Sequence, residues 1–125
     1  TDPVANKYYG KWLGPITFKL YLKLGAIKNP AMTWALVDEW PNTINDAFFV
    51  VDMVHWDGTR ASGAAEVIDH PGIQHGGACS FSFTDGHSET KKWHDKGFLE
   101  PNPGGRNSVG NVPDFRWLAE RTSTK

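Results

Sequence analysis

The chain is poor in the residues that most often announce a chemistry. It has one cysteine, Cys79, in 125 residues, so no internal disulfide can form and cysteine usage does not report a redox compartment. A single small thiol between Ala78 and Ser80, inside a strand-like run, reads as buried packing, and no pairing with a base can be argued for it. Long apolar runs are missing as well. The longest, Ala47 to Val51, falls far short of the ~20 residues that span a bilayer. Dense positive charge is also absent: the net charge is −1 and the basic residues are scattered. Lys91-Lys92 and the isolated Lys19, Lys23 and Lys28 do not make the stripe that a nucleic-acid footprint needs, so nucleic acid is excluded as the expected partner. There is no initiator methionine, and a chain opening on "TDPVANKYYGKW" reads as a fragment from which an upstream segment has been removed.

What is present is enough for a core. Hydrophobic residues make up 39% of the chain, and there are six tryptophans. A single domain of this length buries roughly two thirds of its unfolded surface. Thirteen glycines and eight prolines predict many turns and few long helices. Residues 1–30 carry ten large apolar side chains between Tyr8 and Leu24, with Pro15 interrupting any helix through the middle. An irregular or short helical opening is expected there, then a loop around Lys28-Asn29-Pro30. "MTWALVDEW" reads as a fairly continuous apolar strand of the kind a doubly covered sheet uses. "PNTIND" is a turn, "AFFVVDMVHW" the next strand, and "DGT" another turn. Residues 61–74 have no firm period and are expected to be loop with at most a short helical turn.

The stretch "HGGACSFSFTDGHSETKKW", His75 to Trp93, is the most informative. Cys79, Phe81 and Phe83 alternate with Ser80, Ser82 and Thr84, which is period two with one apolar and one hydroxyl face. Asp85-Gly86 follows as a two-residue hairpin signal in which both central positions take positive φ. His87, Glu89, Lys91 and Trp93 then alternate on the returning strand, so a β-hairpin is predicted at about 79–93. "KGFLEPNPGGRNSVGNVP" reads as a long surface loop. "PDFRWLAERTSTK" ends the chain as a short helix, with Pro113 at its start and Phe115, Leu118 and Ala119 at helical spacing.

Three constellations carry possible chemistry. His70, His75, His87 and His94, with Asp85 and Glu89, form the densest polar cluster. His87 and Glu89 share a strand face, yet no spacing matches a structural zinc pattern and no HExxH helix is present. "DEWPNTIND" offers Asp38, Glu39, Asn42, Asn45 and Asp46 as oxygen ligands for calcium, but without the glycine and terminal glutamate of a calcium loop. Asp38 and Glu39 would point to opposite faces if the strand ran through them, so a turn role competes with a metal role. Candidate ligands are thus Asp38, Glu39, Asp46, His75 and His87, for calcium or zinc, against the expectation of no cofactor. Asp38, Glu39 and Asp52 are candidates for paired-carboxylate hydrolysis only in that nothing excludes them, since the separation such a pair needs across a cleft is not visible in sequence. The tryptophans invite sugar stacking, though Trp34 and Trp56 are expected in the core and Trp117 under the terminal helix. Trp12, Trp40 and Trp93 are less constrained.

The spacing from His75 through nine residues to Asp85-Gly86 resembles the prepilin-type processing-associated H-X9-DG domain, whose members are similar to pseudopilin G of type II secretion and to type IV pilins. "AIKNPAMTWALVDEWPNTINDAFFVVDM" resembles the family's turn, apolar strand, Asp-Glu and "sIND" segment. "HGGACSFSFTDGHSETKKW" resembles its hallmark hairpin, and "PDFRWLAERT" its carboxyl end. The likeness runs over about residues 20–123, with the segments in the family's order. The prepilin peptide and its hydrophobic helix do not occur in this chain. Trp40 also stands where family members usually have the histidine of "DEHP", which weakens a metal site at that corner.

The resemblance implies an α+β, pilin-like head spanning residues 1–125. A small antiparallel sheet would carry the hairpin, the amino-terminal helix would be missing or truncated, and a short helix would end the chain. It implies a non-catalytic subunit of a pilus-like or type II secretion pseudopilus assembly, whose partners are other pilin or pseudopilin subunits. The native protein would be anchored in the inner membrane through the missing helix, with its head on the periplasmic or extracellular face of the cell envelope. His75, Asp85 and Gly86 would be architectural: Gly86 permits the turn, Asp85 stabilises it, and His75 hydrogen-bonds across the loop leading into the hairpin. The rival readings are an envelope carbohydrate-binding module and a small metal-dependent hydrolase using His75, Asp85 and His87.

Overall fold

The alternation between Cys79 and Phe83 becomes a strand with one dry face, and the rest of the fold is arranged around it. The computed structural model describes Tyr21 and residues 23–45, 48–103 and 106–123. Among these, the strands are β1 (Trp34–Val37), β2 (Glu66–Val67), β3 (Ala78–Phe83), β4 (Ser88–Lys92) and β5 (Asn107–Ser108). The helices are α1 (Lys96–Leu99) and α2 (Pro113–Glu120). The fold is mixed α and β: a three-stranded antiparallel sheet in the order β1-β3-β4, and a two-stranded antiparallel sheet of β2 and β5.

Cys79, Phe81 and Phe83 are buried while Ser80 and Ser82 face water, as period two requires. The turn differs from the two-residue form expected. Gly86 N–H donates to the Phe83 carbonyl at 3.0 Å, and Phe83 N–H donates to the His87 carbonyl at 2.8 Å. Thr84, Asp85 and Gly86 therefore form a three-residue loop in which Gly86 alone takes a positive φ, +97°. Asp85 stays in the ordinary region because its Oδ1 accepts the His87 N–H at 3.0 Å, closing a side-chain turn two residues on.

β1 lies on the other side of β3, with Trp34 opposite Phe83 and Val37 opposite Phe81, and a bulge between Trp34 and Leu36. It is shorter than the apolar run, and its sheet is covered on one face only, since Leu36 is 70% exposed. Across the covered face runs α2. Pro113 occupies its first turn, where a missing N–H costs nothing, and Phe115, Leu118 and Ala119 are buried on its inner side. The Trp34 N–H donates to the Arg121 carbonyl at 3.0 Å and its indole Nε1 donates to Thr122 Oγ1 at 3.0 Å, tying β1 to the end of α2. Phe81, Trp93, Phe98, Phe115 and Leu118 are the large side chains at the centre. Each is worth about 1.5–3 kcal/mol of transfer free energy.

Several sequence expectations are corrected. "AFFVVDMVHW" forms no strand over its described part, because its backbone is satisfied elsewhere. Val50 N–H donates to Asp69 Oδ2 at 2.6 Å and Met53 N–H turns back to the Val51 carbonyl at 2.8 Å, leaving only a Trp56–Ala61 bridge. The 61–74 segment contains β2, which finds its partner β5 inside the supposed surface loop. That loop also begins with α1, capped by Asp95, whose side chain accepts the Gly97 N–H at 2.9 Å, and it buries Phe98 completely. Trp93 is 1% exposed and belongs to the core, stacked on Phe98 at 4.7 Å. The 23–32 region holds short 3₁₀ turns at Leu24–Ala26 and Pro30–Met32. The helical opening expected before it, with Trp12, lies outside the described residues.

Candidate functional site

His75 and the Asp85-Gly86 pair sit at opposite ends of β3. The six residues of that strand separate them by about 20 Å at ~3.3 Å per residue. His75, Asp85 and His87 thus do not converge, and each end has its own surroundings.

At the His75 end the chain turns into β3 through Gly77, whose φ is +82°. A Cβ there would also stand 3.0 Å from Leu99 Cδ2. The Trp93 N–H donates to the Gly77 carbonyl at 3.0 Å, so this turn is also where the hairpin closes. His75 itself is exposed, and no side-chain hydrogen bond reaches it among the described residues. It lines a groove of about 440 Å³ together with Val37, Asp38, Glu39, Ile44 and Gln74. The strand pattern predicted Asp38 and Glu39 on opposite faces. Because β1 ends at Val37, both contribute to this one groove.

The groove wall is a corner where residues 38–43 meet residues 69–72. Trp40 N–H donates to the His70 carbonyl at 2.7 Å, Gly72 N–H donates to the Asp38 carbonyl at 2.6 Å, and Glu39 bridges to Pro71. The Thr43 hydroxyl lies 2.8 Å from Glu39 Oε2 and 3.0 Å from the Trp40 carbonyl, and it accepts the His70 N–H at 3.3 Å. Behind the wall the Cys79 thiol points at the Asp38 carbonyl at 3.4 Å. Burial pushes this thiol above its usual range, which keeps it protonated and unreactive.

At the hairpin tip, His87 is held on both nitrogens. Its Nδ1 contacts Asp85 Oδ1, its Nε2 lies 2.8 Å from Glu89 Oε2, and its ring stacks on Phe83 at 4.4 Å. Glu89 and then Asp85 raise the pKa of His87. The His87 backbone N–H and then its ring lower that of Asp85. The two carboxylates favour the protonated ring, in which both nitrogens donate. This arrangement is a charge clamp across the turn.

Asp85 and Glu89 lie against opposite nitrogens of His87, and among the described residues no group of three or more His, Cys, Asp or Glu side chains is arranged to hold a metal ion. Asp46 lies outside the described residues. Asp52, the third carboxylate considered for hydrolysis, is 6% exposed, and its Oδ2 accepts both His55 Nδ1 at 2.7 Å and the Glu66 N–H at 3.0 Å. The Asp-x-x-His spacing of 52 and 55 is the local signal for that pair.

Two residues legible in the sequence, Asp114 in the first turn of the terminal helix and His70 in the histidine cluster, have surroundings that the sequence does not reveal. Asp114, 2% exposed, accepts the His94 and Asp95 N–H groups at 2.6 and 2.7 Å and pairs with Lys91 Nζ at 3.1 Å. Burial works against its charge, but the two N–H groups and Lys91 win and hold its carboxyl below the ordinary 3.8. The Lys91 ammonium lies 5.6 and 5.7 Å from the Trp93 and Trp117 rings. This cluster bolts the start of α2 to the end of the hairpin. The second feature is His70, buried completely with neither ring nitrogen hydrogen-bonded. Nothing in the local sequence marks it as buried.

Compared with models of known families, with curated proteins and with solved structures, the chain matches none.

Proposed function

We propose that this chain is the head domain of a pilin- or pseudopilin-like subunit, a non-catalytic part of an envelope assembly. It would stand outside the inner membrane on an anchoring helix and contact other subunits of the same kind. The observation that carries the reading is the way the family-like segments pack on one another. The apolar strand, the hairpin and the carboxyl-terminal helix make a single unit, with Phe81 of β3 meeting Trp34 of β1 at 6.1 Å and Trp117 of α2 at 5.0 Å. On this reading His75 and Asp85-Gly86 bracket the central strand, and the polar groups at the hairpin tip serve its shape.

The test is made in the native cell, with the protein tagged at its carboxyl end. Subunit status predicts an envelope location and cross-links to other pilin-like proteins that disappear when the assembly machinery is deleted. Saturable glycan binding by the purified protein, with no such cross-links, would overturn it in favour of a carbohydrate-binding module. A metal-dependent hydrolytic activity lost in His75→Ala would overturn it in favour of an enzyme.

A further inference from the structure

His70 is the most anomalous polar group among the described residues. It is 0% exposed and neither ring nitrogen has a hydrogen-bond partner of good geometry, a state that is rare in folded proteins. The Trp40 ring stands edge-on to it at 6.2 Å. The Asn107 side chain is the one polar group that favours a proton on the ring, while its amide also accepts the Asn102 N–H and donates to the Glu100 carbonyl. Burial outweighs it and keeps the ring neutral at pH values where a solvated histidine begins to charge.

The ring sits at the corner that forms the groove wall. Segment 69–72 is seated on segment 38–43 by the Trp40-to-His70 and Gly72-to-Asp38 backbone bonds and by the His70 N–H to Thr43. The corner is joined to the apolar cluster of Phe81, Trp93, Phe98 and Phe115 by polar contacts: the Trp93 indole Nε1 donates to the Gly72 carbonyl at 3.3 Å, and the Cys79 thiol points at the Asp38 carbonyl at 3.4 Å. Opening the corner breaks these contacts and leaves the apolar packing closed. We propose that His70 is a proton-operated latch: the neutral ring keeps 69–72 seated on 38–43, and uptake of one proton unseats it and opens the Asp38–Glu39–His75 groove.

The charged groups on the packed segments are few. Segment 38–43 contributes Asp38 and Glu39, with Glu39 turned to the Thr43 hydroxyl. The ring's own segment contributes Asp69, which accepts the Val50 N–H. From β5 comes only the neutral Asn107 amide. None of these carboxylates bonds a ring nitrogen, so none compensates the charge inside the closed corner. A cation there is relieved by exposure, and the proton favours the open form.

The sign follows. The closed form binds the proton more weakly than the open one, so opening increases as pH falls below about 6.5, by about tenfold per pH unit until the closed form also protonates. The measurement is hydrogen exchange on the whole chain. Protection of the Trp40 and Gly72 amides is expected to fall about tenfold per unit below about pH 6.5, while that of the Phe81 amide holds. In His70→Phe, which keeps an aromatic ring and sacrifices no hydrogen bond, the Trp40 and Gly72 protection should stay flat. A fall that persists in His70→Phe would assign the opening to carboxylates and overturn the proposal. So would the absence of any fall in the native chain down to about pH 4.5. Should His70→Phe not fold, nitrogen NMR of the native His70 ring decides: a protonation midpoint below 6.5 is expected, and one at or above 6.5 overturns the latch.

Discussion

Replacing Asp114 tests whether the hairpin and the terminal helix are held by charge as well as by packing. Asp114→Ala leaves the His94 and Asp95 N–H groups without their acceptor and leaves Lys91 without its counter-ion at a site only 2% exposed. Removing one partner of a buried pair costs about 3–5 kcal/mol. Lys91 keeps 17% of its side chain in water and can swing its ammonium outward, so the low end applies, about 3 kcal/mol. Unfolding a chain of 125 residues releases roughly 0.26 kcal/mol/K, which makes the expected fall in Tm about 11 °C. Asp114→Asn keeps an acceptor oxygen for the two N–H groups and gives up only the charge, so it should lose about half as much. The assay is urea and thermal unfolding followed by tryptophan fluorescence, since Trp93 and Trp117 lie beside the site. The pH dependence has a definite sign. A carboxyl held below its unfolded value contributes stability that is complete above about 3.8 and fades as pH falls through the folded value. The gap between native protein and Asp114→Asn should therefore close in acid. A loss below about 1 kcal/mol for Asp114→Ala would show that apolar packing alone seats the helix, and the bolt would be refuted.

Three further outcomes are expected. The His87 ring should titrate above 6.5 by proton NMR, and Glu89→Gln should bring it down. A raised histidine contributes stability that is complete below 6.5 and lost as pH climbs through the folded value, so an unshifted His87 would refute the clamp. Gly86→Ala meets no atom within 4 Å, so its cost is the left-handed backbone alone, about 1 kcal/mol in urea unfolding; a cost of several times that would require a packing role. Phe81→Ala empties the centre of the core and should cost about 3–5 kcal/mol, with a smaller loss meaning that Trp34, Trp93 and Trp117 collapse into the space.

What could be read along the chain was whatever depends on neighbours in sequence. The alternation of Cys79, Phe81 and Phe83 determined a one-faced strand, because side chains on an extended backbone point to opposite sides by geometry. Gly86 determined a turn, because a positive φ strains every residue with a Cβ. Pro113 with Phe115 and Leu118 determined a helix and its buried side, through the fixed φ of proline and the helical repeat. Turn type, strand partners and the fate of polar groups lay beyond that reach. "AFFVVDMVHW" has the composition of a strand, yet a strand needs a ladder, and the acceptor for its Val50 N–H is an aspartate 19 residues away. Asp38 and Glu39 share a groove only because β1 stops at Val37, and His75 joins them only because 69–72 folds back onto 38–43. His75 and Asp85-Gly86 look like one motif in sequence, and the straightness of the strand between them makes them two places. Asp114 and Lys91 are 23 positions apart, and His70 looks like any loop histidine. Tertiary structure alone decided that the first two meet in burial and that the third is shut away from water, because desolvation belongs to the packed surroundings of a residue and not to the residue itself.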